Sequence, residues 1–208
     1  MALAEPLRQL LQAKIPKRIL HIGADYGQEV VPYDKAGVAS AVFVEAREDV
    51  FERLSANVRP RGYEALLALA WSEDGVVKDF LVSSNAGASS SVFLFGDGMQ
   101  KFPEIKVTRR LRLVTSRLDT EFRKQKRDVD FFDTLVADVQ GAEKAAIEGL
   151  GEYLGSIQQA VVEVSLCSLY DQAPQVDEMI AFMRERGFVL RDLEQLNGYG
   201  DALFCRVC

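Results

Sequence analysis

Four times along this chain a short apolar run of strand length stops on a glycine or a carboxylate, and a segment with helical periodicity follows. Arg18-Ile19-Leu20-His21-Ile22 ends at Gly23, Ala41-Val42-Phe43-Val44 at Glu45, Leu135-Val136-Ala137 at Asp138, and Ala160-Val161-Val162 at Glu163. The segments that follow place Val50, Phe51, Leu54 and Val58 on one helical face, then Ala142 to Leu150, then Val176, Met179, Ile180 and Met183 up to Gly187. Gln28 onward suits a helix if Pro32 lies in its first turn. Strands apolar on successive residues need cover on both faces, and a crossover helix after each strand supplies it. The expected fold class is therefore α/β: a Rossmann-like, doubly wound, mostly parallel sheet with helices on both faces. Phe188 to Arg191 and Ala202 to Val207 are expected to pair as an antiparallel edge.

Ala65 to Ala70 reads as one further strand, the third. Residues 76–115 then break the rhythm, with strand-like pieces (Asp79 to Val82, Leu111 to Thr115) around a small-polar loop, Ser83 to Ser91. This segment is expected to be an insertion that reaches over the ligand edge of the sheet. Leu3, Leu7, Leu10 and Leu11 predict a covering helix within residues 1–16, ended by Pro16. With no Pro/Gly/Ser-rich linker, the chain of 208 residues is expected to form one domain over 1–208, long enough to bury its own core.

The net charge of -6 excludes the basic surface that sequence-independent nucleic-acid binding needs. The run Thr108-Arg109-Arg110-Leu111-Arg112 reads as a solvated strand edge before a polyanion site. No apolar stretch is long enough to cross a bilayer, and Glu5, Pro6, Arg8 and Gln9 interrupt any leader-like run. Cys167, Cys205 and Cys208 form a scattered, odd set, which fits a reducing cytoplasm. Cys205 and Cys208 lack a second ligand pair nearby, and continuing the strand would send them to opposite faces, so they predict no metal centre.

In open α/β sheets, ligands sit beyond the carboxyl ends of the strands, so the residues that follow the apolar runs are the candidate site. Gly23, Ala24, Asp25 and Gly27 form a small-residue turn that lets a ligand approach the backbone. Where a G-x-G-x-x-G dinucleotide signature would continue from Gly23, Asp25 and Gln28 stand instead, which argues against a nicotinamide enzyme. Glu45, eighteen residues after Gly27, can accept both hydrogens of a ribose diol. Asp138 and Glu163 close their strands at the same edge. Glu143 falls in a first helical turn, where the helix dipole favours a carboxylate whatever its role.

These stretches resemble the FkbM-type branch of the class I S-adenosylmethionine-dependent methyltransferases. The resemblance rests on Ile22-Gly23-Ala24-Asp25-Tyr26-Gly27-Gln28, Val44-Glu45-Ala46, Ser83-Ser84-Asn85 through Ser91, and Asp138-Val139-Gln140-Gly141-Ala142-Glu143. The last is the most specific, and together they cover about residues 18–190. The resemblance implies S-adenosylmethionine as cofactor, with Gly23 to Gly27 along its methionine part and Glu45 on its ribose. It places Ala70 and Trp71 by the adenine, although Trp71 fits a core position equally well. It also puts the Ser83 to Ser91 loop on the acceptor side, unless that loop is only surface. The sequence departs from the family where His21 replaces a usual carboxylate and Asp25 a usual Asn. His21, the sole histidine, reads first as a satisfied half-buried imidazole that could touch the cofactor.

The implied reaction is O-methylation of a small-molecule or glycan hydroxyl, on a sugar or secondary metabolite. Asp138 and Glu163 are the candidate bases, with His21 behind them. A divalent metal on Asp138, Glu143 and Glu163 is chemically reasonable, since hard oxygen ligands suit magnesium, but nothing in the sequence calls for one. Two rival readings remain: a non-catalytic Rossmann-like binding or assembly module, and an NAD-linked enzyme.

Overall fold

The computed structural model describes residues 4–13 and 15–207, so Leu3 and Cys208 lie outside the described residues. The elements in chain order are α1 (Glu5–Ala13), β1 (Arg18–Ile22), α2 (Val30–Ala36), β2 (Ser40–Glu45), α3 (Glu48–Val58), β3 (Glu64–Leu67), β4 (Leu69–Ala70) and β5 (Val77–Ser83). There follow β6 (Val107–Ser116), α4 (Leu118–Lys124), β7 (Thr134–Ala137), α5 (Glu143–Glu148), β8 (Gln159–Ser165), α6 (Val176–Glu185), β9 (Phe188–Gln195) and β10 (Tyr199–Arg206).

Seven strands form one sheet in the order β3-β2-β1-β7-β8-β10-β9. The first five run parallel, and β10 is antiparallel to both β8 and β9. The alternating reach of strand side chains divides the core into two layers. Leu20, Ile22, Val42, Val44, Leu135, Ala137, Ala160 and Val162 pack on one face against Phe122 of α4, Ile147 of α5 and Met183 of α6. Ile19, Ala41, Phe43, Val136 and Val161 pack on the other against Leu7 and Leu10 of α1, Tyr33 of α2, and Leu54 and Val58 of α3. Burying a leucine-sized side chain contributes about 1.5–3 kcal/mol, so these two layers supply the main drive for folding.

The helix ends carry their expected signals. Pro32 is the third residue of α2, where its missing N–H costs nothing, and Gly37 ends that helix at φ 82°. Gln175 and Glu178 form a reciprocal cap on α6. Two expectations about the elements change. The run Ala65 to Ala70 is not one strand, because β3 joins the large sheet while β4 leaves it to pair with β6 in a second sheet of order β4-β6-β5. A backbone that passes from one sheet to another has to break its ladder, and here the break falls at the buried Ala68. The helix α4, which the sequence did not suggest, plugs the large sheet with Leu118 and Phe122. The closing hairpin is longer than predicted, which brings Glu194 and Asp201 to the sheet edge.

Candidate functional site

The strand order reverses between β1 and β7, and a cleft opens at their carboxyl ends. Gly23 forms its floor at φ 84°, and a Cβ there would run into the carbonyl group of Asp138. Only glycine lets β1 and β7 stay in register at this point. His21, Gly23, Ala24, Asp25, Glu45, Ala70 and Asp138 all line the cleft. Gly27 and Trp71, both expected beside the cofactor, are absent from its lining. Gly27 serves the turn instead: its φ of 79° closes an N–H···O bond of 2.8 Å to Ala24, and Val30 and Leu54 leave no room for a side chain. Trp71 packs against Phe93 and beneath the Lys78 ammonium, 4.0 Å from its ring centre.

Glu45 is 8% exposed, and two backbone N–H groups hold its carboxylate. Arg47 N–H donates to Oε1 at 2.8 Å and Asp25 N–H to Oε2 at 3.1 Å. Each oxygen keeps a lone pair for a further donor, as a ribose diol would require. Burial pushes this carboxyl up from 4.5 to about 7. Asp25 reaches its place through a left-handed backbone at φ 43°, a conformation that Asp tolerates much as Asn does. The walls further along are small or apolar (Leu69, Ala70, Phe80, Val92, Val139, Ala142), and could receive a flat heteroaromatic ring. Together, the paired carboxylate oxygens, the open glycine floor and the apolar slot fit S-adenosylmethionine.

His21 is 4% exposed, with Nδ1 at 3.0 Å from the Tyr33 hydroxyl and its ring stacked on Phe43. Burial lowers its pKa to about 4, so the ring is neutral at physiological pH. The imidazole is satisfied as expected from the sequence, but it is buried rather than half-buried, and it forms part of the cleft wall.

At the far side of the cleft, the Asp138, Glu143 and Glu163 carboxylates bring oxygens within 4.8 Å of one another. Glu143 is 3% exposed and its oxygens accept from the N–H groups of Val139 at 2.9 Å and Gly141 at 3.1 Å, so it braces the turn into α5. That leaves Asp138 and Glu163 as the pair facing the cavity. Gln140, which the sequence did not single out, spans them. Its Nε2 donates to Asp138 Oδ1 at 2.6 Å and to Glu163 Oε2 at 2.7 Å, from a backbone at φ 55°. The Tyr170 hydroxyl donates to Gln140 Oε1 at 2.5 Å and lies 3.4 Å from the Ser89 carbonyl. Ser91 Oγ donates to the Gln140 carbonyl at 2.7 Å. The Ser83 to Ser91 loop is thereby tied to the carboxylate pair, and Ser83, Asn85, Ser89 and Ser90 bond to one another within it. Removing the hydroxyl in a Tyr170→Phe variant should lower stability by about 1 kcal/mol, read as a drop of roughly 2–4 °C in thermal midpoint. An unchanged midpoint and unchanged turnover would show that this tie carries no load.

Burial, with the charges of Asp138, Glu143 and Asp201 beside it, holds Glu163 well above the usual carboxylate range. Burial raises Asp138 as well, so the two carboxylates hold a proton between them more readily than isolated ones would. Glu29, Tyr170, Tyr199 and Asp201 also reach this region and were not singled out as site residues from sequence. A carboxylate interrupting the apolar run at Asp201 was the one available signal.

The family model described as methyltransferase FkbM domain matches residues 21–190. No curated protein matches the chain in sequence. Among solved structures, a protein of the NADB-Rossmann superfamily from Streptococcus agalactiae is similar at TM-score 0.55 and 12% identity, over 99% of this chain and 69% of that one. The magnesium protoporphyrin IX methyltransferase of Synechocystis, solved with bound S-adenosylmethionine, is similar at TM-score 0.52 and 10% identity, over 97% of this chain and 76% of that one. A S-adenosylmethionine-dependent methyltransferase from Aquifex aeolicus is similar at TM-score 0.51 and 10% identity, over 99% and 91%. At such identities the likeness speaks for the fold. Among the described residues, no helix is long and apolar enough to cross a membrane.

Proposed function

This chain belongs to the methyltransferase FkbM domain family, whose members draw a methyl group from S-adenosylmethionine, and we propose that it methylates a hydroxyl of a small acceptor such as a sugar, glycan or secondary metabolite. One observation carries the reading: the Glu45 cradle and the Asp138 carboxylate line a single cleft, and Asp138 also lines a second cavity that opens beyond it. Bound S-adenosylmethionine supplies a methyl carbon on a positively charged sulfur, which departs as a neutral thioether when an acceptor oxygen displaces it.

The chain's own residues have three tasks. Glu45 orients the ribose from two fixed backbone donors. Asp138 takes the acceptor hydroxyl's proton as the oxygen forms its bond to carbon, a role that adds about 10²–10⁴-fold to a rate. Glu163, already protonated, keeps a second negative charge away from Asp138, and Gln140 fixes the distance between the two. Holding both reactants in line supplies a further share, on the order of 7–11 kcal/mol in favourable intramolecular cases. The reading takes the chain as one domain, because β4, β5 and the loop after β5 contribute wall to the same cleft as the large sheet.

The test is transfer of a labelled methyl group from S-adenosylmethionine to a panel of hydroxyl-bearing acceptors, with a nicotinamide titration in parallel. Label in an ether product is the expected result. Cofactor binding without transfer to any hydroxyl would favour the non-catalytic module, and tight nicotinamide binding the NAD-linked enzyme.

A further inference from the structure

Beyond Asp138 the cleft continues into a cavity of about 480 Å³, with His21, Glu29, Ala88, Asp138 and Gln140 in the wall of both. A space of that size joined to the methyl-transfer cleft points to a ligand, independently of its charge. One wall is apolar, from Met99, Phe102, Ile105, Leu169 and Leu196. The opposite wall is a row of acids. Asp201 on β10 lies in register with Glu163 on β8 on one side and with Glu194 on β9 on the other, so three carboxylates share one face of the sheet. Like charges directly opposite each other across strands destabilise a sheet.

Glu194 accepts from the Glu5 N–H at 2.7 Å and Glu163 from Gln140 Nε2 at 2.7 Å, which leaves Asp201 as the acid in the row without a described donor. No lysine or arginine is among the described residues that line it, and its one imidazole is neutral. Asp201 has no side-chain hydrogen-bond or ion-pair partner among the described residues. Burial, with the charges of Asp138 and Glu194, pushes its carboxyl up from 3.8 to about 7. Asn85, Ser89, Tyr170 and Tyr199 complete the lining and offer hydroxyl, carbonyl and amide partners to a polyhydroxylated molecule.

From this wall, resting on the methyltransferase reading above, we propose that the acceptor carries a protonated amine beside the hydroxyl that is methylated, with the amine against Asp201 and Glu163 and the hydroxyl against Asp138: an amino sugar or amino alcohol. An ammonium at Asp201 lowers its repulsion with Asp138 and Glu194, a neutral group leaves it, and an anion adds to it. An amine held in its protonated form has no lone pair, so the methyl group goes to oxygen.

The test is binding to the full chain saturated with S-adenosylmethionine, measured at pH 8 for two matched sets of three: glucamine, sorbitol and gluconate, and ethanolamine, ethylene glycol and glycolate. The amines should bind at least tenfold more tightly than their neutral partners, and the anions most weakly. The preference should fade below pH 6, where Asp201 takes up its proton. An Asp201→Asn variant should lose most of the preference while its thermal midpoint holds or rises, since the substitution removes a like-charge contact. Equal or tighter binding of the neutral or anionic members, no amine binding at millimolar concentration, or a preference that survives Asp201→Asn would each overturn the inference. Cofactor affinity measured on the same sample separates the two levels. A chain that binds S-adenosylmethionine but shows no amine preference loses only this inference, whereas one that binds no cofactor loses the functional reading as well.

Discussion

An Asp138→Asn variant should fold, keep measurable cofactor binding, and lose about 10²–10⁴-fold in kcat. The amide preserves the shape of the carboxyl and can still accept from Gln140, so the geometry around Glu163 is kept while the proton acceptor is lost. Stability should not fall. Asp138 and Glu163 face each other across neighbouring strands, and the charge of Asp138 is among the causes that keep Glu163 protonated. Removing that charge lets the Glu163 pKa relax downward. Glu163 could then take over part of the base function at high pH, visible as residual activity that rises with pH in the variant. Thermal melts and initial rates measured from pH 6 to 9 check both parts. Full turnover in Asp138→Asn would remove this residue from proton transfer.

Glu45→Gln should weaken cofactor binding and change how stability depends on pH. The ionised carboxylate is the form that accepts two ribose hydroxyls, and charge-assisted bonds contribute about 1.5–3 kcal/mol each. Losing the charge should weaken S-adenosylmethionine by about 100-fold at pH 8. Stability follows the proton. The folded chain holds Glu45 at about 7 and the unfolded chain at 4.5, so the folded state binds the proton more tightly. The resulting stabilisation is fully present below pH 4.5 and is lost as the pH rises through 7. Above pH 7 the native carboxylate is a buried charge. Glutamine carries no charge, but its NH2 group faces one of the two backbone N–H donors and leaves it unpaired, so the variant should melt below the native chain at pH 4 and close that gap as the pH rises to 8. The same titration governs the native protein's cofactor affinity, which should be flat above pH 7 and fall with each unit below it. A melting gap that does not narrow between pH 4 and pH 8, or cofactor binding as tight as the native chain's, would contradict this account of Glu45.

The parts of the site that could be read from the sequence are those at the ends of buried parallel strands. β1, β2, β7 and β8 are covered on both faces, so they appear as unbroken apolar runs, and the residue that ends each run marks the cleft edge. Gly23, Glu45, Asp138 and Glu163 are such residues, and the structure places them along the cleft and the cavity that continues it. The split of Ala65 to Ala70 left no such mark, because Ala68 at the break is itself buried and apolar. The α4 helix carries one turn's worth of apolar face, Leu118 and Phe122, which is too short for a periodicity to show. Glu194 and Asp201 enter the cavity through antiparallel register, which depends on a bulge near Leu203 and Phe204 and is invisible in a one-dimensional pattern. Trp71 follows β4, whose Ala70 lines the cleft, but its own ring packs against Phe93 and stands outside the lining.

The most direct measurement of the central claim is a calorimetric titration of the native chain with S-adenosylmethionine at pH 8 and at pH 6. The account predicts saturable one-site binding at pH 8 that weakens about tenfold at pH 6, as Glu45 gains its proton. Absence of binding at millimolar cofactor, or binding indifferent to pH, would contradict the claim that Glu45 and the glycine turn form the seat of the methyl donor.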